Sequence, residues 1–192
     1  FVMNLSNLPY RTTSYDKIAD ELPESSLYKE HYDTHWQNRV IVIDGDWILD
    51  EPLDLDAVDE LSPYYNPDDY DSLPLFILVK GNMQATNIYN GEIEGSCGLV
   101  VLGNLTAENI VVGGQEIFVG GDLCVSGFYW GDYNHGSLTV MGHISIYVFL
   151  ETDYNHDNKR FEERHNADIT EYLTDDDYEG LLLGEKLVLY LK

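Results

Sequence analysis

The chain is poor in positive charge. Ten Lys and Arg residues stand against thirty-five Asp and Glu, which leaves a net charge of −25. Nucleic acid and anionic lipid both demand clusters of Lys and Arg, so neither is a partner for a surface of this sign. Cysteine is scarce as well, with only Cys97 and Cys124. One pair cannot frame a chain of 192 residues, and neither thiol sits in a CxxC pair or beside a His at metal-ligand spacing. Both are expected as free thiols. No apolar run approaches the roughly eighteen residues of a membrane helix, and the first residues lack a basic region followed by an apolar one. The expected location is the cytoplasm.

Motifs for common chemistries are also missing. There is no GxSxG, no phosphate-cradling GxxxxGK[ST], no HExxH and no GGxGxD. His31 and His35 would share one helix face beside Glu30, but no third ligand accompanies them. The segment 153–164 opens like a calcium loop with Asp153, Asn155 and Asp157, then has Asn158 where Gly is needed and Arg164 where a bidentate Glu is needed. Cys97 lies in "EGSCGL" with no base identifiable from spacing. A carbohydrate-active β-helix enzyme stays open as a third reading, because hydrolysis of a glycoside needs only two carboxylates. No catalytic residue, metal ligand or cofactor is expected.

What the chain does contain is a repeat. "GNMQATNIYNG" (81–91) and "GNLTAENIVVG" (103–113) agree at six of eleven positions, among them Gly81/Gly103, Asn82/Asn104, Ala85/Ala107, Asn87/Asn109 and Ile88/Ile110. "IFVGGDLCVSGFYWG" (117–131) carries Gly121 and Asp122, with Phe128 and Gly131 at the offsets of Ile88 and Gly91. "LTVMGHISIYVF" (138–149) and "VIVIDGDWIL" (40–49) repeat the form around Gly142 and Gly45. From Gly81 onward the Gly-to-Gly steps are 22, 18 and 21 residues, and the step from Gly45 is 36, room for one rung plus an insertion.

A period near twenty with short β-type runs marks a β-solenoid, and about twenty residues hold three short strands and their turns. The expected fold is mainly β: a single-stranded parallel β-helix of about five coils, of either hand. Gly followed by Asn or Asp is expected to supply the left-handed or strained backbone of each corner. Alternation in "LVVLGNLTAENIVV" sends Leu and Val inward and Thr106 and Glu108 outward. Stacking of equivalent positions places Asn87 over Asn109 in an amide ladder.

The flanks differ in character. Residues 1–39 form an N-terminal flank with a short helix over Lys17–Leu22, cut by Pro23, and a second one in "SSLYKEHYDTHWQ" capped by Ser25 or Ser26. The solenoid is assigned to 40–149, with an acidic, proline-containing insertion at 50–74. Residues 150–192 form an acidic C-terminal region in which "KRFEERHNADITEYL" is expected as helix and "GLLLGEKLVLYLK" as a last coil or edge strand.

Carboxylates keep company with aromatics in two segments. "SPYYNPDDYD" (62–71) interleaves Tyr64, Tyr65 and Tyr70 with Asp68, Asp69 and Asp71, and "GFYWGDYNHG" (127–136) adds Tyr129, Trp130, Asp132 and Tyr133. Tyr and Trp anchor protein interfaces, and carboxylates pair with Lys or Arg of a partner. These ten residues are the expected partner-binding set.

The rungs "GNLTAENIVVGG", "VGGDLCVSG" and "LTVMGHI" resemble the short-coil β-solenoids of bactofilins, which implies a self-assembling scaffold. In overall character the chain resembles immunity proteins of bacterial toxin systems, which implies binding and blocking of a cognate toxin. The sequence therefore points first to an acidic binding protein for a basic protein partner, a toxin domain, and second to a scaffold. A monomer or small homo-oligomer is expected.

Overall fold

The computed structural model describes residues 10–31, 38–57, 74–91 and 97–174. Its first sheet runs in the order β1 (Tyr10–Ser14), β2 (Arg39–Ile43), β5 (Pro74–Val79), β7 (Gly98–Val101), β9 (Glu116–Val119) and β11 (Ser137–Val140). The second runs from β13 (Ala167–Leu173) through β12 (Ile144–Thr152), β10 (Leu123–Asp132), β8 (Leu105–Val112) and β6 (Met83–Tyr89) to β3 (Trp47–Ile48). The two-residue β4 (Leu53–Asp54) also pairs with β6. Every pairing is parallel except that of β1 with β2. The chain is a parallel β-solenoid of about four turns, against the five coils expected from the sequence.

The repeated glycines work through space rather than backbone hand. Asp46 Oδ1 accepts from the Asn82 N–H at 2.7 Å, and Asn82 Oδ1 accepts from the Asn104 N–H at 2.9 Å. Asn104 Oδ1 accepts from the Asp122 N–H at 2.8 Å, and Asp122 Oδ1 from the His143 N–H at 2.7 Å. Each side chain thus reaches across to the next turn. A Cβ at Gly81, Gly103, Gly121 or Gly142 would come within 2.2–2.7 Å of that same oxygen, and none of these glycines adopts a left-handed φ. The expectation of a strained corner is therefore corrected: glycine is needed where a neighbouring amide or carboxylate lies. The expected amide ladder is present, with Asn109 Nδ2 donating to Asn87 Oδ1 at 2.9 Å.

Alternation along β6 slips by one residue at Asn87. Met83 and Ala85 point inward, then Ile88 does, while Tyr89 joins a separate outward cluster. The second sheet is consequently bent into two arms, and the coil has three faces. One inward column runs Ile88, Ile110, Tyr129, Phe149, Tyr172 in register. A one-residue bulge between Val125 and Tyr129 puts Tyr129, not Phe128, in the Ile88 place. Aromatics fill this column toward the C-terminal end, with ring centroids 5.5 Å apart for Tyr129–Phe149 and 4.4 Å for Phe149–Phe161.

The inner strands of the first sheet, β2, β5, β7 and β9, are buried on both faces, which explains runs such as "VIVI" and "FILV". Their inner residues, among them Ile41, Ile77, Leu99 and Ile117, join the main core. Their outer residues Val40, Val42, Phe76, Leu78, Val100 and Phe118 meet Tyr15, Ile18, Ala19, Leu22 and Tyr28 of an N-terminal strap. In place of the expected helix over Lys17–Leu22 the strap has two 3₁₀ turns, Tyr15–Lys17 and Ala19–Glu21, before α1 (Leu27–His31). Docking of Tyr15 and Ile18 on the sheet outweighs weak local helix propensity.

Glu116 holds the strap down. The residue is 5% exposed, and its carboxylate accepts from the Ser26 hydroxyl at 2.9 Å, the Leu27 N–H at 2.7 Å and the Tyr28 N–H at 3.3 Å. Burial raises its pKa, opposed by these donors. Further out, Asp44 accepts from Arg11 at 2.7 Å and pairs with Lys80 at 3.1 Å, and Lys80 pairs with Glu21. The hydrogen bonds from Arg11 and Lys80 hold Asp44 down at about 2.

At the far end α2 (Asn158–Phe161) lies where the first sheet would continue past β11. Phe161 enters the core, and the Arg160 guanidinium donates to the carbonyls of Val140, Gly142 and Asn166. The helix expected over 159–173 is thus confined to one turn. Beyond it the alternation of Ala167 and Ile169 (inward) with Asp168 and Thr170 (outward) makes a strand. The second sheet therefore runs on to Leu173, past residue 149.

Gly121→Ala should lower stability by about 1–3 kcal/mol, since the new methyl meets Asn104 Oδ1 and the Gly103 backbone. Gly45→Ala, with open space around it, should change stability by less than about 0.5 kcal/mol in the same denaturant titration. The pH dependence follows from two carboxylates of opposite shift. Glu116 is raised, so its stabilisation is full below its ordinary 4.5 and is lost as pH rises through its folded value. Asp44 is lowered, so its contribution is present above its ordinary 3.8 and is lost as pH falls toward about 2. In thermal melts Glu116→Gln should flatten the first trend and Asp44→Asn the second.

Candidate functional site

Five of the described cations are engaged within the chain itself. Arg11, Lys29 and Lys80 form ion pairs with Asp44, Asp20, Glu24 and Glu21, while Arg160 and Arg164 donate to backbone carbonyls. By contrast, Asp46, Glu108, Asp122 and Asp168 are exposed along the near arm of the second sheet, and its strand segments 83–88, 105–110, 123–128, 144–149 and 167–170 contain no Lys or Arg. Ile48 and Tyr147 stand on that face at 64% and 57% exposure. His143 closes the corner column, its Nδ1 3.1 Å from Asn166 Oδ1 and its Nε2 3.1 Å from Asp168 Oδ2. The hydrogen bond with Asn166 is the first cause of its raised pKa, with Asp168 and Asp122 adding to it.

A cavity of about 610 Å³ opens between the strap, the edge of β11 and α2. Its walls are mainly apolar, from Leu27, Leu138, Met141, Ile144 and Phe161, with His135 at the rim. Met141 is 55% exposed. A space of this size suits a large side chain or a short extended segment of another molecule. Beside it the loop after β10 projects Asn134 and His135 into solvent, and the ring of Tyr133 lies 4.8 Å from that of His135. Tyr133 holds a φ of 95°, a left-handed conformation unusual for an aromatic residue.

The expected partner-binding residues fall into three groups. Tyr64, Tyr65, Asp68, Asp69, Tyr70 and Asp71 lie outside the described residues. Tyr129 and Trp130 are corrected to structural roles, because the bulge turns Tyr129 into the core and Trp130 into a buried outward cluster. The hydroxyls of Tyr129 and Tyr154 lie 3.0 Å apart, burial pushes both well above their ordinary value, and Trp130 Nε1 donates to Thr152 Oγ1 at 2.8 Å. Asp132 and Tyr133 are half-buried and are not among the residues that line the cavity, and Asp132 accepts from the Thr152 hydroxyl at 2.6 Å.

Exposed Ile48, Met141 and Tyr147 are apolar positions that the sequence reading passed over. Their signal was present: with Leu138, Val140, Ile144 and Ile146 inward, strict alternation sends Met141 and Tyr147 out. Cys97 is buried and its thiol pushed far up by burial, whereas Cys124 is exposed; neither is in a disulfide. Among the described residues no group of three or more His, Cys, Asp or Glu could hold a metal ion, and no helix is long and apolar enough to cross a membrane. No protein family, curated protein or solved structure matches the chain.

Trp130→Ala should cost about 3–5 kcal/mol of stability as a large-to-small change at a buried position. Tyr133→Ala should change it by less than about 0.5 kcal/mol. Chemical denaturation of the two variants separates the buried aromatic from the half-buried one.

Proposed function

We propose that the protein is an acidic, cytoplasmic binding protein that captures a cationic protein partner, as immunity proteins of bacterial toxin systems do with a cognate toxin. The observation that carries this reading is the imbalance of charge at the surface. Arg11, Lys29 and Lys80 are neutralised within the chain, while the near arm of the second sheet presents carboxylates with no Lys or Arg among them. Such a field steers a basic molecule inward and raises its association rate. Short-range affinity comes from the apolar cavity lined by His135 and Met141, with Asp132 and Tyr133 in the neighbouring loop as further contacts in this reading. The acidic aromatic segment 62–71 adds a second contact in this reading. No catalysis or cofactor is required.

A bactofilin-like scaffold would need bare coil ends that stack on further copies. The antiparallel β1 at one end of the first sheet, and Arg160 with α2 at the other, favour the binding reading instead.

The test begins with light scattering across protein concentration and salt, where a discrete small mass is expected and concentration-dependent growth would restore the scaffold. A cationic partner isolated by cross-linking in the source cell is then titrated by surface plasmon resonance. Its association rate should fall by about tenfold between low and high salt, with dissociation changing less. Met141→Glu should speed dissociation without altering the melting temperature. Absence of any salt effect on association would sink the proposal.

A further inference from the structure

The first sheet ends at β11, whose outer edge faces the cavity. Ser137 and Met141 donate their N–H groups back to the carbonyls of Gln115 and Val119 in the previous turn. Alternation along the strand therefore turns the N–H and C=O of Leu138 and Val140 the other way, off the sheet. Two of these four groups are engaged. The Leu138 N–H donates to the Asn155 carbonyl at 2.9 Å, and the Val140 carbonyl accepts from Arg160. Among the described residues no partner meets the Leu138 carbonyl or the Val140 N–H. The reason lies one residue further along the neighbouring segment. After a single bridge between Ser137 and Asn155, Asp157 Oδ1 accepts from the Lys159 N–H at 3.0 Å and starts α2, so the chain leaves the edge. The cavity of about 610 Å³ opens at this gap, and all five residues from 137 to 141 line it.

We infer that this gap is a strand-addition site for an extended segment of the cationic partner. One residue of the segment inserts beside Thr139, its N–H donating to the Leu138 carbonyl and its C=O accepting from the Val140 N–H. The source of the segment rests on the function proposed above; the geometry of the edge does not. Polypeptide backbone is the occupant selected, because the vacant acceptor and donor flank one residue, the spacing of a parallel ladder. An apolar side chain alone would fill the space and leave both groups unpaired. The inserted residue shares the face of Thr139 and Met141, beside Leu27 of the strap. Its two neighbours face Leu138, Val140 and Phe161 and are therefore apolar. Basic residues suit the ends of the segment. Asp157 lines the cavity and is exposed, and the Ser25 hydroxyl, 3.4 Å from Met141 Sδ, places the exposed Glu24 next along the strap. Arg160 is turned onto the carbonyls of Val140, Gly142 and Asn166. A second copy of the chain is the poorer occupant, since it would bring a further net charge of −25 to the same edge.

The test follows amide exchange by NMR in the full isotope-labelled chain, with the acetylated and amidated peptide Lys-Val-Thr-Val-Lys as probe. In the free chain the Val140 amide should exchange fast, while that of Met141, bonded to Val119, stays slow as the internal control. Saturating peptide should slow exchange at Val140 by at least about tenfold and leave Met141 unchanged. An analogue N-methylated at the central Thr lacks the donor to Leu138 and should bind about tenfold more weakly. Val140→Pro removes the donor on the protein's side. That N–H faces away from β9, so the ladder survives, and the unmodified peptide should again bind about tenfold more weakly. Should this variant fail to fold, the comparison of the two peptides decides alone. Equal binding of both peptides, or no response at Val140 to either, would overturn the inference. So would a Val140 amide already slow in the free chain, which would mean an edge closed by the chain itself or, where protection fades on dilution, by a second copy. If Val140→Pro holds the isolated cationic partner as tightly as the parent chain, the strand site falls and the proposed function stands. If the peptide occupies the edge but the partner's association shows no salt effect, the function falls and the strand site stands.

Discussion

One hydrogen bond, repeated, holds the turns in register: an Asx side-chain oxygen accepting from the backbone N–H one turn further on. From Asp46 to His143 it recurs four times at 2.7–2.9 Å. Because the acceptor lies in the space a Cβ would fill, the residue before each donor must be glycine. Parallel strands slip easily where one face is much like another. Here a slip of one residue would break every corner bond and drive methylated backbone into carboxamides. The apolar columns inside the coil stay aligned as a result, Met83 over Leu105 over Leu123 over Ile144.

The corner column also shows how so acidic a chain avoids repelling itself. Asp46 and Asp122 are separated by Asn82 and Asn104, which make the same hydrogen bond without charge. After Asp122 comes His143, whose raised pKa favours the positive form next to two carboxylates. Like charges directly stacked about 4.8 Å apart would be destabilising, and neutral Asn removes that contact while leaving the outward field intact. Negative charge is thereby displayed on a surface whose backbone is fully engaged.

Much of the solenoid was legible in the sequence, because its signals are local and periodic. Gly-Asx spacing located the corners, alternation sorted Thr106 and Glu108 outward, and identity at 87 and 109 anticipated the amide ladder. What the spacing hid was the single inserted residue in β10. It turned Tyr129, expected as a surface anchor, into the core and carried Trp130 into a buried cluster. The flanks were misread for a different reason. Helix formers in 17–22 and 159–173 yielded to tertiary packing, by Ile18 against the outer sheet face and by Ile169 against the core. The role of Glu116 left no mark in its own neighbourhood, since its three donors come from Ser26, Leu27 and Tyr28.

That clamp has a consequence for the order of assembly. Corner bonds link residues only 18 to 36 apart in the chain, so coils close by short loops and add to one another in series. The Ser26–Glu116 bond links residues 90 apart, and its acceptor does not exist as a fixed group until several coils have stacked. Loop-closure entropy accordingly predicts that the strap docks late in folding and lifts early in native-state fluctuations. Its amide protons should then exchange through local opening, before those of the coils beneath it.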